Sequence, residues 1–214
     1  MDEDISIINS NTRNEKIKNF FLNNKNKFVS ILIIIIVCVI GAYGYDKYIT
    51  DKKKKISDNY NFAIIDYSDN NKEATTTKLI NIINQKDPTY SPLSLYFIID
   101  NNLISDHKKI NDMFDILIKS TSLDEEIKNL VIYKKALYNA DRSSESDLLN
   151  MLNTLINSDT VWKSHALYLV AEYFYAKDQK QKSKEFFNKI ISLETSNSEI
   201  KKKSEQRLIR DLSE

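Results

Sequence analysis

Four short segments of this chain echo one another at a near-constant interval, and no other feature limits its possible folds as strongly. They read YNFA from Tyr60, LYFI from Leu95, YKKA from Tyr133 and YLVA from Tyr168, and so lie 35, 38 and 35 residues apart. Nineteen residues after the start of each comes a second echo, apolar at its first, fourth and fifth positions: LINII from Leu79, FDILI from Phe114, LNTLI from Leu152 and FNKII from Phe187. Both landmarks keep their phase through all four units. Apolar residues at i, i+3 and i+4 make one stripe on a helix, so each unit reads as two helices, neither of which can bury its stripe alone. Stability must then come from stacking one unit on the next.

A period near 35 with two helices per unit is the signature of tetratricopeptide-like hairpins. Composition agrees, because from Asp46 onward there is no Gly, and Pro occurs only at Pro88 and Pro92. The fold class is therefore all-α, a solenoid of about four hairpins closed by a C-terminal capping helix. The spacing predicts helices over 47–69, 72–86, 92–104, 107–120, 123–140, 145–157, 160–177, 179–193 and 197–212. Ser122 with Glu125, and Ser196 with Glu199, fit capping boxes. Ala63, Ala136 and Ala171 recur at one point of the first helix, where a small side chain lets hairpin partners approach, and Ile98 breaks the pattern in the second unit.

Ahead of the repeats, Phe28 to Tyr45 forms eighteen residues without a charge. As a helix this run reaches roughly 27 Å, enough to cross a bilayer, and it reads as a single transmembrane signal-anchor. A cleaved signal peptide is the rival reading, through the small residues of Ala42-Tyr43-Gly44, but the 27-residue leader and the length of the apolar run oppose it. Cys38 follows Val37, which does not suit lipoprotein processing. Five basic residues precede the run and five follow closely, so charge leaves orientation open. Long downstream domains translocate largely regardless of charge, which favours the C-terminal domain outside. The expected organisation is a basic cytoplasmic tail over 1–27, the anchor over 28–45, a charged juxtamembrane stretch over 46–56 that can continue as helix into the first hairpin, and the repeat domain over 57–214.

Chemistry is argued against by what is missing. His107 and His165 are the only histidines, and the sole Cys lies in the apolar run. There is no metal-ligand spacing, phosphate loop, dinucleotide fingerprint or nucleophile elbow, so neither an enzyme, a cofactor nor a metal is expected. From Asp46 onward the chain carries 26 basic and 26 acidic residues, which gives no basic surplus for nucleic acid. No small-molecule substrate is implied.

Protein binding is what such a scaffold supports, since the first helices of stacked hairpins line a concave face. The repeat phase puts Tyr60, Tyr133 and Tyr168 at one groove-facing position, with Tyr67 and Tyr175 seven residues further on in the first and fourth units and His165 and Glu172 on the same stripe. Tyrosine offers apolar area with a polar tip at small entropic cost, which suits a groove for varied polypeptides. An equal alternative is that these rings fill the layer between hairpins.

The basic, aromatic-paired leader IKNFFLNNKNKF, one anchor helix and a divergent tetratricopeptide domain together resemble the bacterial YfgM family, whose domain is often called tetratricopeptide-like type 21. Leu167, Ala171, Phe174, Ser183 and Phe187 bring the fourth unit nearest the general tetratricopeptide pattern. The resemblance implies a single-pass protein of the bacterial inner membrane, its N-terminus cytoplasmic and its repeat domain periplasmic. The implied partners are the SecYEG translocon, a PpiD-like membrane chaperone and client polypeptides. An envelope-assembly scaffold like those of outer-membrane biogenesis, and a cytosol-facing receptor, are the other functional classes considered.

Overall fold

The computed structural model describes residues 2–213, and the chain divides into two compact units, Met1–Lys55 and Ile56–Glu214. Among the described residues all regular structure is helical: α1 (Asp2–Ile65), a 3₁₀ turn (Asp69–Asn71), α2 (Lys72–Asn84), α3 (Tyr90–Asp100), α4 (His107–Ser120), α5 (Glu125–Asn139), α6 (Glu145–Asn157), α7 (Lys163–Ala176), α8 (Lys180–Ser192) and α9 (Ser198–Asp211).

In the first unit, α1 is long and apolar enough to cross a membrane, and its apolar side chains from Phe28 to Tyr45 are all exposed. A soluble core helix would bury such residues against neighbours. Phe20 and Phe21 ahead of the run cluster with Phe28 at its start, with the Phe21 and Phe28 rings stacked at 4.9 Å.

In the second unit each helix packs on the next in sequence from α2 to α9, and α5 on α7 and α7 on α9 add contacts one helix further along. The arrangement is solenoid-like, and burial follows the repeat phase. At the second landmark Leu79, Phe114, Leu152 and Phe187 are fully buried, as are Leu117, Leu155 and Ile190 three residues on, with Ile82 scarcely exposed. A further stripe, Thr75, Ile110, Leu148 and Ser183, lies four residues before the landmark and is equally sealed. It escapes a search for apolar echoes because two of its members are polar.

Ala63, Ala136 and Ala171 are all completely buried, and Ile98 occupies the equivalent place just as completely. At Ala171 the approach is direct: the Ser183 hydroxyl donates to the Ala171 carbonyl at 2.9 Å, tying α8 to α7. The Ser91 hydroxyl likewise donates to the Ile82 carbonyl at 2.9 Å, tying α3 to α2. Buried hydroxyls of this kind satisfy themselves while leaving no bulk between the helices. Across α4 and α5 the amides of Asn111 and Asn139 exchange hydrogen bonds at 3.0 and 2.8 Å.

Helix ends depart from the sequence expectation in several places. The predicted capping pairs Ser122/Glu125 and Ser196/Glu199 do not cap these helices. The N-cap positions fall later, at Asp124 for α5 and Asn197 for α9, and the Asn197 side chain accepts from the backbone N–H groups of Glu199 and Ile200. α3 starts at Tyr90, two residues before Pro92, because Asp87 Oδ1 accepts from the Thr89 and Tyr90 N–H groups and a first-turn proline sacrifices no intrahelical bond. α7 starts at Lys163 because Thr160 to Trp162 form a turn bound to α5.

The absence of glycine has a visible consequence at the helix C-termini. Lys86, Asn102 and Asp178 take left-handed backbone, with φ of 56°, 49° and 57°. After α3 the Leu103 N–H reaches the Ile98 carbonyl and the Asn102 N–H reaches that of Ile99; after α7 the Gln179 and Asp178 N–H groups reach Phe174 and Tyr175 in the same way. These are Schellman turns made without the residue that normally makes them.

Candidate functional site

Tyr60, Tyr133 and Tyr168 sit near the end of α1 and on α5 and α7, where the 3.6-residue period points them the same way along their helices, but Tyr67 is not on the predicted helical face, because α1 ends at Ile65 and Tyr67 lies in the turn that follows. All three are half-buried, and each ring meets another aromatic. Tyr60 lies 5.6 Å from Tyr90, whose hydroxyl donates to Ser57 Oγ at 2.7 Å. Tyr67 meets Phe97 edge-on at 5.3 Å. Tyr133 stacks on Trp162 at 5.7 Å, and Tyr168 meets Phe187 edge-on at 5.5 Å. Burial raises the phenols of Tyr60 and Tyr133 above their ordinary value, and burial with the neighbouring Glu172 carboxylate pushes Tyr168 up to about 12.

The predicted residues therefore form two local clusters. One joins the third and fourth units: Tyr133, Trp162 and His165, with His165 5.2 Å from Trp162 and 6.0 Å from Tyr133. Here the Trp162 indole N–H donates to the Glu126 carbonyl at 3.1 Å, and Thr160 and Asn129 continue the polar seam between α5 and the α6–α7 turn. His165 Nδ1 is buried with no hydrogen-bond partner, and burial holds the imidazole below its ordinary pKa. A neutral ring is the form that such surroundings tolerate.

No family model, curated protein or solved structure matches this chain. The geometry of the second cluster is accordingly all that speaks for it. It joins Tyr168, Glu172 and Tyr175 on α7 to Arg207 and Asp211 on α9. Arg207 donates from Nε to Glu172 Oε1 at 2.7 Å and from Nη2 to Oε2, and from Nη1 to Asp211. Its guanidinium carbon stands 4.2 Å from the centre of the Tyr175 ring. Burial would raise the Glu172 carboxyl, but the Arg207 fork, with the Tyr168 hydroxyl nearby, outweighs it and brings the group below its ordinary value.

The structure thus gathers His165 with Tyr133, and gathers Tyr168, Glu172 and Tyr175, but leaves Tyr60 and Tyr67 with partners of their own. Tyr90, Trp162 and Arg207, which lie outside the repeat echo, complete these contacts together with Phe97, which lies within the LYFI echo but not at the position that tyrosine takes in the other units. The spacing Tyr168-x3-Glu172-x2-Tyr175, set beside Arg207-x3-Asp211, carried the signal for the second cluster. α9 covers the fourth unit's stripe, so the side chains there meet a helix of their own chain.

Proposed function

We propose that this protein is a membrane-anchored, tetratricopeptide-like protein-binding scaffold, ancillary to the SecYEG translocon and to periplasmic chaperones of the PpiD kind, in the manner of YfgM. One observation supports it above the rest: burial repeats in phase through four helical hairpins in a chain whose N-terminal helix is apolar enough for a bilayer. Stacked hairpins present a continuous surface for extended polypeptides. The anchor would place that surface where chains emerge from a membrane.

Cross-linking through surface lysines in native membranes, followed by purification of the chain, tests the partner. Adducts with SecYEG and with a membrane-bound prolyl isomerase are the expected outcome. Adducts only with outer-membrane assembly proteins would support an envelope-assembly scaffold and end the translocon reading.

The lysine run from Lys52 to Lys55 is the observation that favours an inverted, cytosol-facing receptor. A reporter fused after Glu214 separates the two orientations. Activity of a periplasm-dependent reporter is expected, and activity of a cytosol-dependent one would sink the proposal.

A further inference from the structure

A cavity of about 170 Å³ opens between α3 and α5, outside the tyrosine stripe. Aromatic side chains from three helices line it: Tyr96 on α3, Phe114 on α4 and Tyr138 on α5, with the Phe114 and Tyr138 ring centres 6.0 Å apart. Asp100, the last residue of α3, adds an exposed carboxylate that makes no ion pair among the described residues. The Tyr96 hydroxyl is buried and has no hydrogen-bond partner. The chain's own Lys134 already brings its ammonium to 5.5 Å from the centre of the Tyr96 ring.

Aromatic faces attract cations through the ring quadrupole, and the effect grows as water is excluded. A carboxylate at the rim adds a counter-charge and accepts from the N–H groups of an ammonium. The fourth unit shows the same chemistry satisfied, since Arg207 there lies over Tyr175 while Glu172 takes its fork. In the second unit the tyrosine and the acid are present, but the resident cation reaches only the ring.

We infer that the cavity formed by Tyr96, Phe114, Tyr138 and Asp100 is a subsite for the ammonium group of a lysine side chain on a bound polypeptide, with Lys134 as the resident cation it displaces. The inference rests on the protein-binding reading in taking the cation from a polypeptide. It gives the unpaired acid at the rim of this small aromatic cavity a partner.

The test uses the full chain in detergent micelles, labelled with carbon-13 at tyrosine, and two probe peptides, Ser-Gly-Lys-Gly-Ser and the same sequence with norleucine at the centre. The lysine peptide should shift the Tyr96 and Tyr138 ring signals and bind about fivefold more tightly than the norleucine peptide. Asp100→Asn should remove that advantage, and Lys134→Ala should tighten lysine-peptide binding about twofold or more, because the competing cation is gone. Equal or tighter binding of the norleucine peptide would overturn the inference, as would undisturbed ring signals, an unchanged advantage in Asp100→Asn, or unchanged or weaker binding in Lys134→Ala. The titration uses purified protein, so its failure is separable from a failure to cross-link translocon partners in membranes.

Discussion

Arg207 in α9 holds both carboxylate oxygens of Glu172 in α7, thirty-five residues earlier in the chain, and lies against the ring of Tyr175 while doing so. The C-terminal helix buries little else: Ser204 within it and Leu212 just beyond are its sealed positions, and Ile209 is 74% exposed. Ile200 and Leu208, partly buried, pack with Leu212 on the apolar cluster of the fourth unit, and the Arg207 contacts add charge and a cation–π contact to that attachment.

Removing the fork should loosen this cap. Arg207→Ala leaves Glu172 partly buried without its cation and is expected to cost about 2 kcal/mol, measured by denaturant unfolding of the chain in detergent. Arg207→Lys should recover only part of that, because an ammonium cannot hold both oxygens at once. A full recovery by lysine would show that charge alone, without the fork, fastens α9.

Acid should act on the two clusters in separate ranges. His165 has a folded pKa below its ordinary 6.5, so above that value the ring is neutral in both states and nothing is lost. As pH falls through 6.5 the unfolded chain takes up a proton that the folded one resists, and stability declines. His165→Gln should flatten that slope. Glu172 behaves in the opposite sense to a raised acid: its folded pKa lies below the ordinary 4.5, so its contribution is complete above 4.5 and disappears as pH falls further. Glu172→Gln should reduce the loss in that lower window only. Unfolding midpoints from pH 3 to 8, followed through the emission of Trp162, the single tryptophan, check both slopes.

Tyr133 distinguishes packing from recognition. Its ring stacks on Trp162, so Tyr133→Ala is expected to destabilise the chain by about 2 kcal/mol and to shift Trp162 emission to the red. Tyr133→Phe keeps the ring and should leave stability nearly unchanged. If Tyr133→Ala proves thermally neutral yet weakens partner cross-linking, the ring serves the groove and not the layer between units.

Glycine should improve the helix ends. At Asp178 and Lys86 the left-handed backbone strains any residue with a Cβ, and replacement by glycine is expected to stabilise by about 0.5–1 kcal/mol at each site. The sum should be additive, since the turns are far apart in sequence and belong to different units. Thermal unfolding of the double variant checks it, and a loss of stability would mean that the side chains at these ends hold more than the backbone costs.

Helix placement was largely legible because periodicity is a local property of the chain. The α4 and α6 boundaries agree with the spacing to the residue, since Asp106 and Ser144 cap them with side chains written just ahead of the apolar stripe. The expected start of α7 at 160 lies three residues early because Thr160 and Trp162 hydrogen-bond to Glu126, a residue 34 to 36 positions away, and no local pattern encodes that turn. The stripe of tyrosines was legible as a register, and their partners were not.

What the sequence determined by itself is the repeat. Two apolar landmarks in fixed phase, with scarcely a helix breaker between them, leave a stack of helical hairpins as the way to bury both, and the long uncharged run ahead of them has no such stack to enter. What only the tertiary structure decided is which faces remain open. Tyr168, Glu172 and Tyr175 look like groove residues in sequence, but α9 lies over them; the cavity joins Tyr96 and Phe114, from two different echoes, to Tyr138, which belongs to neither, and three helices build it. The reason is physical: a side chain's periodicity sets the direction it points, whereas its burial depends on which distant helix arrives opposite, and that is settled by packing between residues far apart in the chain.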